Sequence, residues 1–293
     1  MSPTPSSSGK IEVQKGLYIR WESFGQGEAI VCCNGVGVST FFWKYINRQF
    51  SDRFQIILWD YRGHGASDRL PTPDFTDLSI STTADDLALV LEAAGAGPAV
   101  VVGHSMGCQV ALELYAKKPE LVRGLILMQG SAGRVLDTFF DLSISVYGHK
   151  LLLKAFDAAG DTGQRITKLL LNNGLSWQVT KLIRMVDPYY TKKEDFMPYL
   201  EHLASLDLRM FLRMVEEAHI HDCFPLLPNV EVPTLIVAAE NDKFTPVWLS
   251  ELMAQELPRS ELLMLANGTH AALIEHPDTI NHRIERFLSS ELK

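Results

Sequence analysis

The sequence predicts an α/β protein: a mostly parallel sheet with helices on both faces, plus one helical cap insertion. Three observations carry this expectation. Short runs rich in apolar and β-branched residues alternate with amphipathic helical stretches between residues 29 and 128, and again between 232 and 288, the pattern of βαβ units. From about Ser131 to Pro228 no buried strand can be read, and the stretch is too long to be a loop. Five segments with unusual chemistry each follow a predicted strand directly. All five therefore fall at the carboxyl ends of the strands, where an open parallel sheet binds ligands.

The first nine residues are poor in apolar side chains and rich in Ser and Pro, and read as a disordered leader. Ile11–Lys15 and Leu17–Ser23 form a predicted hairpin around Gly16. Ala29–Cys33 is a buried strand that runs into Asn34, Gly35, Val36 and Gly37, and a helix is expected from Ser39 through Phe42, Trp43 and Ile46. Phe54–Trp59 is the next strand, ending in a glycine-rich loop over residues 60–67. A segment rich in Pro, Asp and Thr follows at 71–77. A helix then runs from about Ser81, with Leu87, Leu89, Val90 and Leu91 on its apolar face and Gly95 as its stop signal.

Ala99–Val102 is a buried strand, and Gly103-His104-Ser105-Met106-Gly107 follows at once. Helical spacing resumes through Val110, Ala111 and Leu114. A strand that turns this sharply into a helix, with glycines two residues either side of a serine, is a nucleophile elbow. The turn lifts the Ser105 hydroxyl out of the sheet, and the glycines relieve crowding between the two backbones. A serine N-cap is the structural alternative. Beyond the elbow, Leu121–Met128 contains another strand. The insertion brings helices with apolar faces around Phe139-Phe140, Leu151–Leu153, Leu169–Leu171, Trp177, Leu182-Ile183, Tyr189-Tyr190 and Phe211-Leu212, expected to be mostly core, with some facing a cavity beneath. Alternation resumes with strand Val232–Ala239, helix Val247–Leu257, strand Glu261–Leu265 and a final helix to about Leu288. The expected organisation is a leader at 1–9, a core domain from 10–130 and 229–293, and a cap domain at 131–228.

A serine hydroxyl needs a positioned base near neutral pH. His270 lies in a loop between the last strand and the last helix, within reach of the elbow. Asp242, two residues beyond Glu240, follows another strand and is the candidate partner that holds the imidazole in one tautomer. Asp242 could instead make an Asx-turn, and His270 could cap a helix. Together with the elbow they form the order Ser, Asp, His, that of the hydrolase sheet. The backbone N–H groups of Met106 and Val36 are the candidate oxyanion donors. Asn34, Gly35 and His104 are expected to contact substrate. His219 and His221, beside Asp222, read as a solvated face.

Composition bounds the partners. With 27 basic and 35 acidic residues the net charge is -8 and no basic cluster is present, which argues against nucleic acid or an anionic membrane surface. The four cysteines contain no C-x-x-C pair, so no zinc site or other metal is expected. Cys32 and Cys33 point to opposite faces of their strand, and buried free thiols suit a reducing, cytoplasmic setting. No apolar segment long enough for a signal peptide or a membrane span is seen, and the oligomeric state is not legible.

With these residues in hand the chain resembles the α/β-hydrolase superfamily over about residues 10–290, the insertion resembling a helical cap domain. The resemblance also rests on Asp60, Arg62, Gly63, His64, Gly65 and Ser67, on Pro233 and the strand after it with Asp242 and Pro246, and on Gly268, Thr269 and His270 with Pro277. It implies a triad of Ser105, Asp242 and His270, no cofactor, and a pocket between cap and sheet. Two positions depart from relatives: Asn34-Gly35 stands where His-Gly is usual, and Gly107-Cys108 where carbon–carbon hydrolases often have Gly-Gly. Serine at the elbow separates the chain from epoxide hydrolases and haloalkane dehalogenases, which carry aspartate there. The expected activity is that of a carboxylesterase acting on a small to medium apolar ester-like substrate. Lactone hydrolysis, carbon–carbon cleavage of a diketone and peracid formation are alternatives on the same triad. A small-molecule receptor, or a cap face used for protein–protein contact, are the non-enzyme readings.

Overall fold

Side chains that alternate along the central strands divide the interior into two layers. Val31, Cys33, Val101, Leu125 and Leu127 face one side of the sheet, with Leu87 and Val110 packed against them. Ile30, Cys32, Val100, Val102 and Ile126 face the other, against Trp43, Ile46, Phe50 and Phe287. Strands buried on both faces need helices on both, and that requirement sets the architecture. The structure, a computed structural model, describes residues 3–70, 77–139, 145–171 and 173–291.

The strands are β1 (Ser7–Gln14), β2 (Leu17–Phe24), β3 (Ala29–Cys33), β4 (Gln55–Trp59), β5 (Ala99–His104), β6 (Val122–Met128), β7 (Thr234–Ala239) and β8 (Ser260–Leu265). They form one eight-stranded sheet in the order β1-β2-β4-β3-β5-β6-β7-β8. β1 and β2 pair antiparallel, β2 runs antiparallel to β4, and every pairing from β4 to β8 is parallel. Ser7, Ser8 and Gly9, expected in the leader, instead pair with β2. The ladder needs only backbone groups there, and Gly9 leaves room for the Trp21 indole, which would lie 3.3 Å from a Cβ. The Pro-rich residues 71–76 and Phe140 lie outside the described residues.

Helices α1 (Lys44–Phe50), α2 (Ile80–Ala93) and α3 (Met106–Lys117) accompany the first half of the sheet. The helix expected from Ser39 begins as a 3-10 turn over Thr40–Trp43. The insertion between β6 and β7 holds α4 (Ser145–Leu171), α5 (Gly174–Leu182), α6 (Lys193–Ser205) and α7 (Leu208–Ile220), and α4 is broken at Gly160, with φ 50° and ψ -133°. α8 (Val247–Glu256), α9 (Ala272–Glu275) and α10 (Pro277–Glu291) complete the chain.

The insertion's apolar faces are not mostly core. Leu151, Leu169 and Leu182 are 71%, 75% and 82% exposed, and Tyr189 is 91% exposed. The leucines of α4 and α5 recur at helical spacing, yet several lie on faces that no described residue covers. α6 and α7 supply most of its buried contacts through Phe196, Leu200, Met210, Leu212 and Met214.

The insertion is fastened to the core at several points. Its entry and exit pair with each other through a bridge between Gly133 and Asp222, and Cys223 N–H donates to Ala132 O at 2.7 Å. On α6, Lys44 and the Tyr45 hydroxyl both bind Asp195, whose side chain is buried. His202 accepts the Gly65 N–H at 2.8 Å and donates through Nδ1 to Gly37 O at 2.9 Å. That single ring ties α6 to both the 34–37 and 60–67 loops. No described helix is long and apolar enough to cross a membrane.

Candidate active site

Ser105 sits between β5 and α3 at φ 55° and ψ -121°, a left-handed conformation rare outside glycine. Its neighbours make the turn feasible. A Cβ at Gly103 would stand 2.4 Å from Gly107 O, and one at Gly107 would stand 2.1 Å from Cys33 O. Both are backbone collisions, so helix α3 can start this close to β3 and β5 only with glycine at these positions. The sharp strand-to-helix turn expected from the sequence is present, and Ser105 is partly accessible at its tip.

His270 comes from the loop between β8 and α9, and Asp242 from the loop after β7. His270 Nε2 accepts from the Ser105 hydroxyl at 3.0 Å, while its Nδ1–H donates to Asp242 Oδ2 at 2.8 Å. The Asp242 side chain is 0% exposed. Oδ1 accepts the N–H groups of Phe244 and Thr245 at 2.8 and 3.0 Å, and Oδ2 also accepts the Thr245 hydroxyl at 2.8 Å. The Asx-turn and the imidazole contact thus coexist on one carboxyl group. Glu240, the other carboxylate in the loop after β7, is exposed and accepts the Asn267 N–H at 3.2 Å. The Phe244 ring lies against His270 with centroids 4.8 Å apart.

His104 is buried behind the histidine of this chain. Its Nε2–H donates to His270 O at 2.9 Å, and Nδ1 has no partner among the described residues. Desolvation pushes its pKa down to about 3, so the ring is neutral and braces the His270 loop. Gly35 lies against this pair: a Cβ there would meet His104 Nδ1 at 3.0 Å and Ser105 Cβ at 3.1 Å. Asn34 departs from expectation. It is wholly buried and away from the cavity wall, accepting from Trp43 Nε1 at 2.6 Å and donating to Trp59 O at 2.7 Å. Strand alternation explains this, since Ile30 and Cys32 face the same layer as Trp43.

A cavity of about 450 Å³ opens above Ser105, with Gly35, Val36, His104, Met106 and His270 on its floor. The insertion supplies its roof through Phe196, Tyr199, Phe211 and Val215, so the lining is mainly apolar. Met106 opens α3, where position leaves the first N–H groups without helical partners. Three polar contributors were not found from the sequence. Thr245 stands three residues after Asp242, a spacing that could have been read as an Asx-turn partner. Glu275 in α9 accepts the Thr269 N–H at 2.8 Å and Thr269 hydroxyl at 2.7 Å, and also the Asp187 N–H and Thr191 hydroxyl, each at 2.8 Å. It therefore holds the residue before His270 and the insertion together. His149 in α4 is buried on the cavity wall, and its Nε2 has no partner among the described residues. Burial lowers its pKa below the usual histidine value.

The face read as solvated at His219 and His221 is half-buried instead. His221 ends α7, where the chain turns back to the core, and its Nε2 lies 3.4 Å from Glu113 Oε2 on α3 and 3.1 Å from Cys223 Sγ. Local sequence carries no sign of α3 at this position, because Glu113 is more than a hundred residues away in the chain. All four cysteines are buried and free, as expected.

The family model for the alpha/beta hydrolase family matches residues 30–283. A putative carbamate hydrolase, RutD, from Azorhizobium caulinodans is 29% identical over 267 residues, covering 91% of this chain and 93% of that protein. Among solved structures, a hydrolase from Pseudomonas aeruginosa PA01 superposes with a TM-score of 0.77 at 20% identity, covering 98% of this chain and 100% of the other. The enol-lactonase of Burkholderia xenovorans LB400 superposes with a TM-score of 0.76 at 17% identity, covering 97% and 100%.

Proposed function

The chain belongs to the alpha/beta hydrolase family, and from that premise we propose that it is a serine hydrolase cleaving carboxylic esters with an apolar acyl or alcohol part. The observation that carries this reading is the continuous hydrogen-bond chain from the Ser105 hydroxyl through His270 to Asp242, at 3.0 and 2.8 Å. Ser105 Oγ attacks the acyl carbon while His270 Nε2 takes its proton. The buried Asp242 keeps Nδ1 protonated and stabilises the imidazolium that forms. The Met106 and Val36 N–H groups hold the tetrahedral oxyanion. His270 then gives its proton to the leaving alcohol oxygen. A water, deprotonated by the same ring, attacks the acyl-enzyme and releases the acid, and Ser105 regains its proton.

The apolar roof favours an apolar substrate body, which would gain roughly 25 cal/mol for each Å² of apolar surface buried. A receptor role fits less well, because binding alone needs neither the Ser105–His270 contact nor the buried partner behind it. Carbamates are the second class to test, since they share the acyl carbon and leaving oxygen with esters and a relative spanning nearly the whole chain carries that description.

The experiment is hydrolysis of p-nitrophenyl esters of graded acyl length, with a p-nitrophenyl carbamate in parallel and Ser105→Ala beside the wild type. Ester turnover with an optimum at intermediate length, reduced on the order of a thousandfold or more in the variant, is expected. Carbamate turnover alone would move the reading to carbamates. No turnover of either class, or turnover that survives in Ser105→Ala, would overturn it.

A further inference from the structure

We propose that Glu113, His221 and Cys223 form a zinc site that ties the exit of the helical insertion to helix α3. One donor atom from each residue lies within 4.8 Å of the other two. Around a tetrahedral Zn²⁺, with metal–ligand distances of about 2.0 Å to nitrogen and oxygen and 2.3 Å to sulfur, such donors stand about 3.3–3.6 Å apart. The His221 Nε2–Glu113 Oε2 separation of 3.4 Å already has that value, and the His221 Nε2–Cys223 Sγ separation of 3.1 Å is a few tenths short of it.

The backbone under these groups is held from several sides. His221 N–H closes the last turn of α7 on Glu217 O at 3.0 Å. Gln109, one turn before Glu113 on the same face of α3, donates to His221 O at 3.1 Å and to Ala218 O at 2.9 Å. Cys223 N–H is held on Ala132 O at 2.7 Å. The three donors are therefore brought together by contacts that exist without a metal, which lowers the ordering cost of binding. Thiolate, imidazole and carboxylate together favour zinc over magnesium or calcium, whose sites are built from oxygen. The His221 and Glu113 side chains are 21% and 18% exposed, which leaves room for a water as the fourth ligand.

Binding releases the Cys223 thiol proton to solvent and uses neutral His221 through Nε2. The ion would sit about two helical turns along α3 from Ser105, so it would brace the insertion and take no part in acyl transfer. This inference does not depend on the ester reading.

The test uses the full chain stripped with EDTA, then titrated with Zn²⁺ by calorimetry and with Co²⁺ by absorption. One Zn²⁺ per chain, a rise in Tm that grows with free Zn²⁺, and a thiolate-to-cobalt charge-transfer band are expected. Cys223→Ser should abolish that band and weaken Zn²⁺ binding at least tenfold, and Glu113→Gln should weaken binding while keeping the band. The variants without metal should keep the far-UV circular dichroism and the metal-free Tm of the wild type, which reports that they fold. No binding by the wild type would overturn the site. So would binding that survives in both variants or shows no thiolate band, which would mark an adventitious ion only.

Discussion

Asp242 holds a turn and a ring with one carboxyl group. Oδ1 takes two backbone N–H groups and Oδ2 takes the Thr245 hydroxyl and the His270 Nδ1–H. Asp242→Asn separates the two tasks. Its amide oxygen can keep the turn, while its NH₂ faces Nδ1 and forces the other tautomer, so Nε2 carries the proton and can no longer accept one from Ser105. The expected result is a fall in kcat on the order of ten-thousandfold with thermal stability close to wild type; steady-state kinetics beside a melting curve checks both halves. At this scale much of the candidate site was legible, because Ser105, Asp242 and His270 each follow their own strand. Asn34 was misread, although alternation from Ile30 and Cys32 already turned its side chain toward the Trp43 layer. His149, His202 and Glu113 were not legible as partners of anything. Each meets its neighbours across a crossing of elements, and periodicity within one helix holds no information about which element it crosses.

Glu275 lies in the four-residue helix α9 and joins that element to the insertion. Glu275→Gln keeps the size but turns an NH₂ toward donors from Thr269, Asp187 or Thr191, leaving at least one buried donor without an acceptor. A loss of about 2 kcal/mol in urea unfolding is expected, together with a lower kcat because Thr269 precedes His270. Loss of stability with kcat untouched would separate the insertion's fastening from the alignment of the ring. Elements with strong periodicity were read well: β3 to β8 and α2, α3, α8 and α10 all stand within a few residues of expectation. The weak points share a cause. β1 starts earlier than its apolar residues suggest, because an edge strand can be held by backbone pairing alone. The leucines of α4 and α5 are periodic yet exposed, because periodicity identifies a face without saying whether anything covers it.

Across the whole molecule, buried neutral histidines set the acid limit. Desolvation lowers His64 from 6.5 to about 4 and His104 to about 3. Well above pH 6.5 these rings are neutral in both the folded and unfolded chain and cost nothing. Below it the unfolded chain takes up protons that the folded one refuses, so stability falls as pH drops through that window. The two rings together account for a loss on the order of 4 kcal/mol by pH 5, and His149 and His202 are shifted in the same direction. Urea unfolding at several pH values between 5 and 6.5 should show a slope from these two rings that rises from about one proton near pH 6.5 to about two near pH 5, and His64→Gln should remove about half of it. A stability independent of pH there would mean that these rings are not buried as described. The meeting of Gly133 with Asp222 has a wider consequence. The chain that enters the insertion and the chain that leaves it are paired there, so residues 134–221 can change in length while β6 and β7 keep their register. Changes between those two points alter what is admitted above Ser105 and leave the site below in place only where the contacts through Glu275 and His202 are kept.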